Sequence, residues 1–138
     1  FLPSEIIAAF LWAQLENLSD IQSRRKEIWE SYNRELIEWA KLNQIKLPSI
    51  PEYSTNNAHM FYLVFDDAEK RAKFINKMKE KNVLCVFHYL SLHQSEFYKD
   101  KHDGRDLKQS DFFTDHLVRL PMFYELEPKD VIEKIKVF

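Results

Sequence analysis

The chain has 138 residues, 45% of them hydrophobic and 30% charged. That suits one folded domain with a real core and excludes a disordered polypeptide. The net charge is −2, with lysines dispersed among acids, so nothing marks a nucleic-acid or anionic-membrane surface. No apolar run approaches the roughly 20 residues needed to span a bilayer.

Residues 4–18 place Ile6, Ile7, Phe10, Leu11, Leu15 and Leu18 at helical spacing, with Ala8, Ala9 and Trp12 widening the apolar face. Ser4 after Pro3 is a good N-cap. A helix this apolar is normally covered on more than one side, so a further domain or a partner subunit is expected, and self-association if neither is present. "SDIQ" reads as a capping box, Ser19 with Gln22, opening a second helix. Ile21, Ile28, Trp29, Tyr32, Leu36 and Trp39 carry it to about Leu42. "LPSIPEYSTNN" is an irregular connection.

"AHMFYLVF" predicts a strand over about 59–65. Asp66 with Glu69 then opens a helix whose inner face is Ala68, Ala72, Ile75 and Met78, with Phe74 beside them. "VLCVFHY" predicts a second strand, apolar enough to be covered on both sides. Residues 92–109 form the longest loop. A short helix is expected from Ser110 to about Leu120, "LPMFYEL" as a turn or short extended piece, and a last helix starting at Pro128 with Val131, Ile132 and Ile135 inward. The order ααβαβαα implies an α/β (α+β) small domain, a small open sheet flanked by helices and attached to something larger. The chain opens on phenylalanine, which sets the expectation that it begins inside a longer protein.

Two rare residues bound the chemistry. Cys85 is the single cysteine, so no internal disulfide forms. A buried apolar thiol and a reducing, cytoplasmic compartment are expected. Gly104 is the single glycine, against roughly 7% in average proteins, so the chain holds no Walker loop and no dinucleotide fingerprint. A phosphate-bearing cofactor would be gripped by another part of the protein.

The stretch "VFHYLSLHQ" gathers His88, Tyr89 and His93 behind the second strand. With His102 and Asp103 these suggest zinc ligands, but His88 and His93 are five apart where a helical pair needs four, and no cluster completes the set. Cys85 and His88 lie three apart on a strand and point to opposite faces, against a nucleophilic pair. The lysines fall mostly on polar helix faces, and none sits in an apolar or glycine-rich setting that would lower its pKa. A strand end bearing an imidazole and a phenol suits a sugar or base at the rim of a pocket; a capped strand end with ordinary satisfied side chains is the bland reading of equal weight.

Four stretches narrow this: "FLPSEIIAAFLWAQLENL", "LPSIPEYSTNNAHMFYLVF", "VFHYLSLHQ" and "RLPMFYELEPKDVIEKI". Together they resemble the C-terminal part of the DegT/StrS-type, pyridoxal-phosphate (PLP)-dependent sugar-nucleotide aminotransferases. The third is similar to the family's His-Tyr-x-Pro-Leu-His stretch and the fourth to its Leu-Pro-x-(Phe/Tyr)…Leu ending. Ser91 stands where the family usually has proline, and the loop after His93 is shorter. The resemblance implies that residues 1–138 are the C-terminal small domain of a type I aminotransferase fold. Helix 1–18 would pack on a large domain or dimer partner, and 19–138 would be the small domain proper.

It further implies a homodimer, PLP held by the large domain, and transfer of an amino group, from glutamate, to the C4 ketone of a dTDP-4-keto-6-deoxyhexose. His88, Tyr89 and His93 would border the sugar-nucleotide pocket. The Schiff-base lysine would lie before Phe1, leaving this chain no catalytic residue, cofactor contact or metal ligand and, alone, no activity. A same-fold sugar dehydratase is the second enzyme reading. A helix-rich interaction module is the non-enzyme reading, and a metal hydrolase the third.

Overall fold

The computed structural model describes residues 2–138; Phe1, the first residue of the expected domain, lies outside them. The first helix, α1 (Glu5–Glu16), starts where Ser4 Oγ accepts the Ile7 N–H at 3.4 Å. No residue of α1 is buried, and Ile6, Phe10 and Trp12 are among its widely exposed apolar side chains. The expected box at Ser19 and Gln22 does not form. The junction falls at Asn17, whose Nδ2 donates to Ala13 O at 2.9 Å and so closes α1, while Ser19 lies inside α2 (Leu18–Leu42). The near-helical backbone of Asn17 lets the second helix start one residue after the first ends, which leaves no room for a box at Ser19.

The inward stripe of α2 is Ile28, Trp29, Tyr32, Leu36 and Trp39, as the periodicity required. Gln44, with a positive φ of 59°, reverses the chain, and Ile45 N–H returns to Ala40 O at 2.8 Å. Strand β1 is Tyr62–Val64, shorter than the expected 59–65. Its approach is held from α2: Arg25 donates to the carbonyls of Ala58 and His59, and Trp29 Nε1 to Met60 O at 3.1 Å. These bonds hold the carbonyls of residues 58–60 to α2, and sheet pairing begins only at Phe61, whose carbonyl accepts the Leu120 N–H at 2.9 Å.

The third helix, α3 (Ala68–Glu80), is capped by Asp67, not Asp66: its carboxylate accepts the Lys70 N–H at 2.9 Å. Phe74 and Met78 are its buried residues and Ile75 is partly covered, whereas Ala68 and Ala72 face solvent. The face turns so that the phenyl ring, with most area to hide, lies at its centre.

Strand β2 (Val86–Phe87) is brief, and Leu84 just before it is 74% and Phe87 within it 47% exposed, against the expectation of cover on both faces. A turn of 3-10 helix follows at Leu92–Gln94 inside the expected loop. Helix α4 (Lys108–His116) then stops four residues earlier than expected, and Leu117–Arg119 form strand β3. This is the largest departure from the sequence reading, because β3 is the central strand. It pairs antiparallel with β1 (Leu63 opposite Val118) and with β2 (Phe87 opposite Val118), in the order β1-β3-β2. A strand with a partner on each edge recovers more backbone hydrogen bonds than another turn of α4. The order therefore runs ααβαβαβα, still a small open sheet with helices.

The chain closes with α5 (Pro128–Lys136), proline in its first turn, burying Val131, Ile132 and Ile135 against α2. One core joins α2, α3, α5 and the sheet, with Tyr32, Phe61, Phe65 and Phe74 fully enclosed. Arg24 stitches α2 to the entry of α5 through Tyr124 O (3.1 Å), Leu126 O (2.7 Å) and the Glu127 carboxylate (3.1 Å). Among the described residues, no helix is long and apolar enough to cross a membrane.

Candidate functional site

His88 and Tyr89 emerge directly from the end of β2, and Arg119 ends β3 beside them, opposite Val86 in the ladder. The ring centres of His88 and Tyr89 lie 3.6 Å apart with the planes tilted by 35°, and the Arg119 guanidinium carbon lies 5.5 Å from the Tyr89 ring centre. The His88–Tyr89 peptide is cis. Tyr89 is 63% exposed, so its outer face is available to a ligand. Two polar atoms here are buried without a partner, His88 Nδ1 and Arg119 Nε. Arg119 also lines a groove of ≈ 330 Å³ with His59, Met60, Leu84, Pro121 and Phe123.

Desolvation holds the His88 imidazole below its usual 6.5, and the charges of Arg119 and His59 add to that. The ring is therefore neutral near pH 7 and serves as one donor and one acceptor. The unfolded chain takes up this proton first as pH falls, so the stability His88 lends is present above 6.5 and lost in more acidic solution. A proton NMR titration is expected to give His88 a midpoint below 6.5, raised but not fully restored by Arg119→Gln. A midpoint at 6.5 or above in the unsubstituted protein would contradict this placement.

His93 sits elsewhere. Its Nε2 is 3.0 Å from Asp111 Oδ1, its ring is 5.0 Å from that of His102, and it lines a second groove of ≈ 340 Å³ with Tyr98, His102 and Arg105. The structure thus brings His88 and Tyr89 together and separates His93 into its own cluster. Among the described residues, no group of three or more His, Cys, Asp or Glu is disposed to hold a metal. Cys85 is 4% exposed, and burial pushes its thiol up to about 12, so it is an inert core residue.

Arg119 and His59 were missed by sequence reasoning. The signal for Arg119 was present, a lone cation between Val118 and Leu120 in an apolar run, but it was hidden by reading the segment as helix. Gly104, at φ +80°, has nothing within 4 Å of where a Cβ would stand, so this position is open space. The arrangement of Arg119, His88 and Tyr89 suits an anionic, ring-bearing ligand laid across a strand end.

A similar sheet-and-helix fold occurs in solved structures. DesV of S. venezuelae, solved with a ketimine intermediate, superposes with a TM-score of 0.81 at 23% identity, over 94% of this chain and 35% of its own. The sugar aminotransferase CalS13 of Micromonospora echinospora gives 0.77 at 18% identity, over 91% and 33%. The fold is thus that of a part of aminotransferases. Residues 4–136 match the model of the DegT/DnrJ/EryC1/StrS aminotransferase family, and the chain belongs to that family. A curated relative, the uncharacterised MJ1066 protein of Methanocaldococcus jannaschii, is 26% identical over 127 residues, covering 88% of this chain. The chain spans about a third of that relative's length.

Proposed function

We propose that this chain is the C-terminal small domain of a PLP-dependent sugar-nucleotide transaminase that aminates the C4 ketone of a dTDP-4-keto-6-deoxyhexose. The amino donor is glutamate, which leaves as 2-oxoglutarate. The stretches "EIIAAFLWAQLE" and "NAHMFY" favour the specificity of dTDP-4-amino-4,6-dideoxygalactose transaminase within the family. The observation that carries the reading is the half-buried Arg119, its Nε without a partner, set beside the exposed face of Tyr89 and the His88 ring. A guanidinium meets a diphosphate by paired hydrogen bonds, a phenol ring offers a stacking face, and a neutral imidazole can bond a sugar hydroxyl.

PLP, held outside this chain, supplies the electron sink and carries the amino group. This chain's residues bind and orient the sugar nucleotide, with His88 and Tyr89 at its rim and His93 in the neighbouring groove. Helix α1, apolar and uncovered, docks on the cofactor-binding domain or across a homodimer. The protein works in the cytoplasm, and the chain by itself is inactive.

The test is made on the longer protein that contains this chain, with PLP, glutamate and the dTDP-keto-sugar. Amino-sugar and 2-oxoglutarate are expected in equal amounts. Arg119→Gln is expected to raise KM for the sugar nucleotide about tenfold or more, with KM for glutamate unchanged. Loss of sugar oxygen without amino transfer would point to the dehydratase instead. Turnover by the isolated chain would sink the division of labour proposed here.

A further inference from the structure

Two polar side chains are buried among the described residues, Ser91 at 4% and Thr114 at 8% exposure, and they touch each other. Their hydroxyl oxygens are 2.7 Å apart. Thr114 Oγ1 also lies 3.1 Å from Tyr89 O and 3.0 Å from Ser110 O. A hydroxyl has one proton to donate. Were Thr114 to give its proton to Ser91, the Tyr89 carbonyl would lose this donor. With Ser91 donating to Thr114, the single Thr114 proton is left to be shared between the Tyr89 and Ser110 carbonyls. The second arrangement satisfies more groups, and buried polar groups are held to that standard.

We propose that Ser91 and Thr114 are positioning residues: a hydroxyl relay, Ser91 to Thr114 to the Tyr89 carbonyl, that fixes the Tyr89 ring next to Arg119. The inference rests on the sugar-nucleotide reading above and names what holds that site in shape. Tyr89 lies on a strand-end loop with no ladder partner, so its own backbone does not fix the ring. Thr114 lies near the end of α4, five residues before Arg119 on the same continuous helix-to-strand unit. That end is itself clamped from α3, where Arg71 donates to Thr114 O at 3.0 Å and to Asp115 O at 2.6 Å. The relay therefore ties the two halves of the site, the His88–Tyr89 loop and the strand bearing Arg119, to one rigid support. Two hydroxyls in series also strengthen one another in a low-dielectric interior.

The deciding experiment compares Thr114→Val, nearly the same shape without the hydroxyl, with Thr114→Ser, which keeps it, in the longer protein. Thr114→Val is expected to raise KM for the sugar nucleotide about fivefold with kcat and the glutamate KM unchanged, the scale of one lost buried hydrogen bond. Thr114→Ser is expected to match the parent. Deuterium exchange of residues 88–92 is read alongside and is expected to rise in Thr114→Val alone, while the core amides of α2 stay protected. Unchanged exchange at 88–92 in Thr114→Val, or a Thr114→Ser variant as impaired as Thr114→Val, would overturn the relay. A protein that turns over no sugar nucleotide would remove the functional reading while the exchange comparison still decides the positioning claim.

Discussion

Phe61→Ala is expected to lower the folding free energy by about 3–5 kcal/mol, a large part of the total a domain of this size holds. Phe61 is wholly buried. Its ring meets Trp29 edge-on at 5.3 Å and Tyr32 at 5.3 Å, so it packs the entry to β1 against α2. Alanine there would lose the transfer energy of the ring and leave a cavity that two large aromatic neighbours, one hydrogen-bonded to Met60 O and the other to Pro121 O, are not free to fill. The Phe61 carbonyl also accepts the Leu120 N–H at 2.9 Å, so any backbone shift disturbs the start of the β1–β3 pairing. Urea midpoints measure the effect. Phe123→Ala, at a residue 51% exposed, serves as the control and is expected to move stability by no more than about 0.5 kcal/mol. A loss under about 1.5 kcal/mol for Phe61→Ala would mean that the entry to β1 does not lean on this ring.

The same residues show what the sequence made legible. The spacing of Ile28, Trp29, Tyr32, Leu36 and Trp39 gave the long helix and its inner face, because a single apolar stripe has one way to be buried. Pro128 and the Val131, Ile132, Ile135 stripe gave the last helix for the same reason. Strand β3 was hidden because three residues carry too little pattern to separate a strand from the end of a helix. What makes Leu117–Arg119 a strand is non-local, a partner on each edge from residues more than thirty positions away. The site followed that error. His88 and Tyr89 are adjacent in sequence and were visible, whereas Arg119 reaches them only through the β2–β3 pairing. His93 looked like a third member because it is close in sequence, yet the 3-10 turn at Leu92–Gln94 carries it to Asp111 and His102. Ser91 and Thr114, twenty-three residues apart, had no local signal at all.

Alkaline solution is expected to unfold this chain through Cys85. An exposed thiol loses its proton near 9.0, but burial pushes the Cys85 thiol up to about 12. Below pH 9 the thiol is protonated in both states and lends no pH dependence. Between 9 and 12 only the unfolded chain releases the proton, so unfolding becomes more favourable as pH rises. At full titration the loss reaches roughly 4 kcal/mol. Tyr32 acts in the same direction from a higher starting point, since burial, and then the nearby Cys85 charge, raise its phenol. Cys85→Ala removes the thiol and relieves Tyr32 of that charge, while lysine titration stays common to both proteins. Urea midpoints of the unsubstituted chain are therefore expected to fall more steeply than those of Cys85→Ala between about pH 8.5 and about pH 11. Parallel curves would mean that the thiol ionises in the folded state. That result would also reopen Cys85 as a nucleophile three residues from His88, a role its burial now denies it.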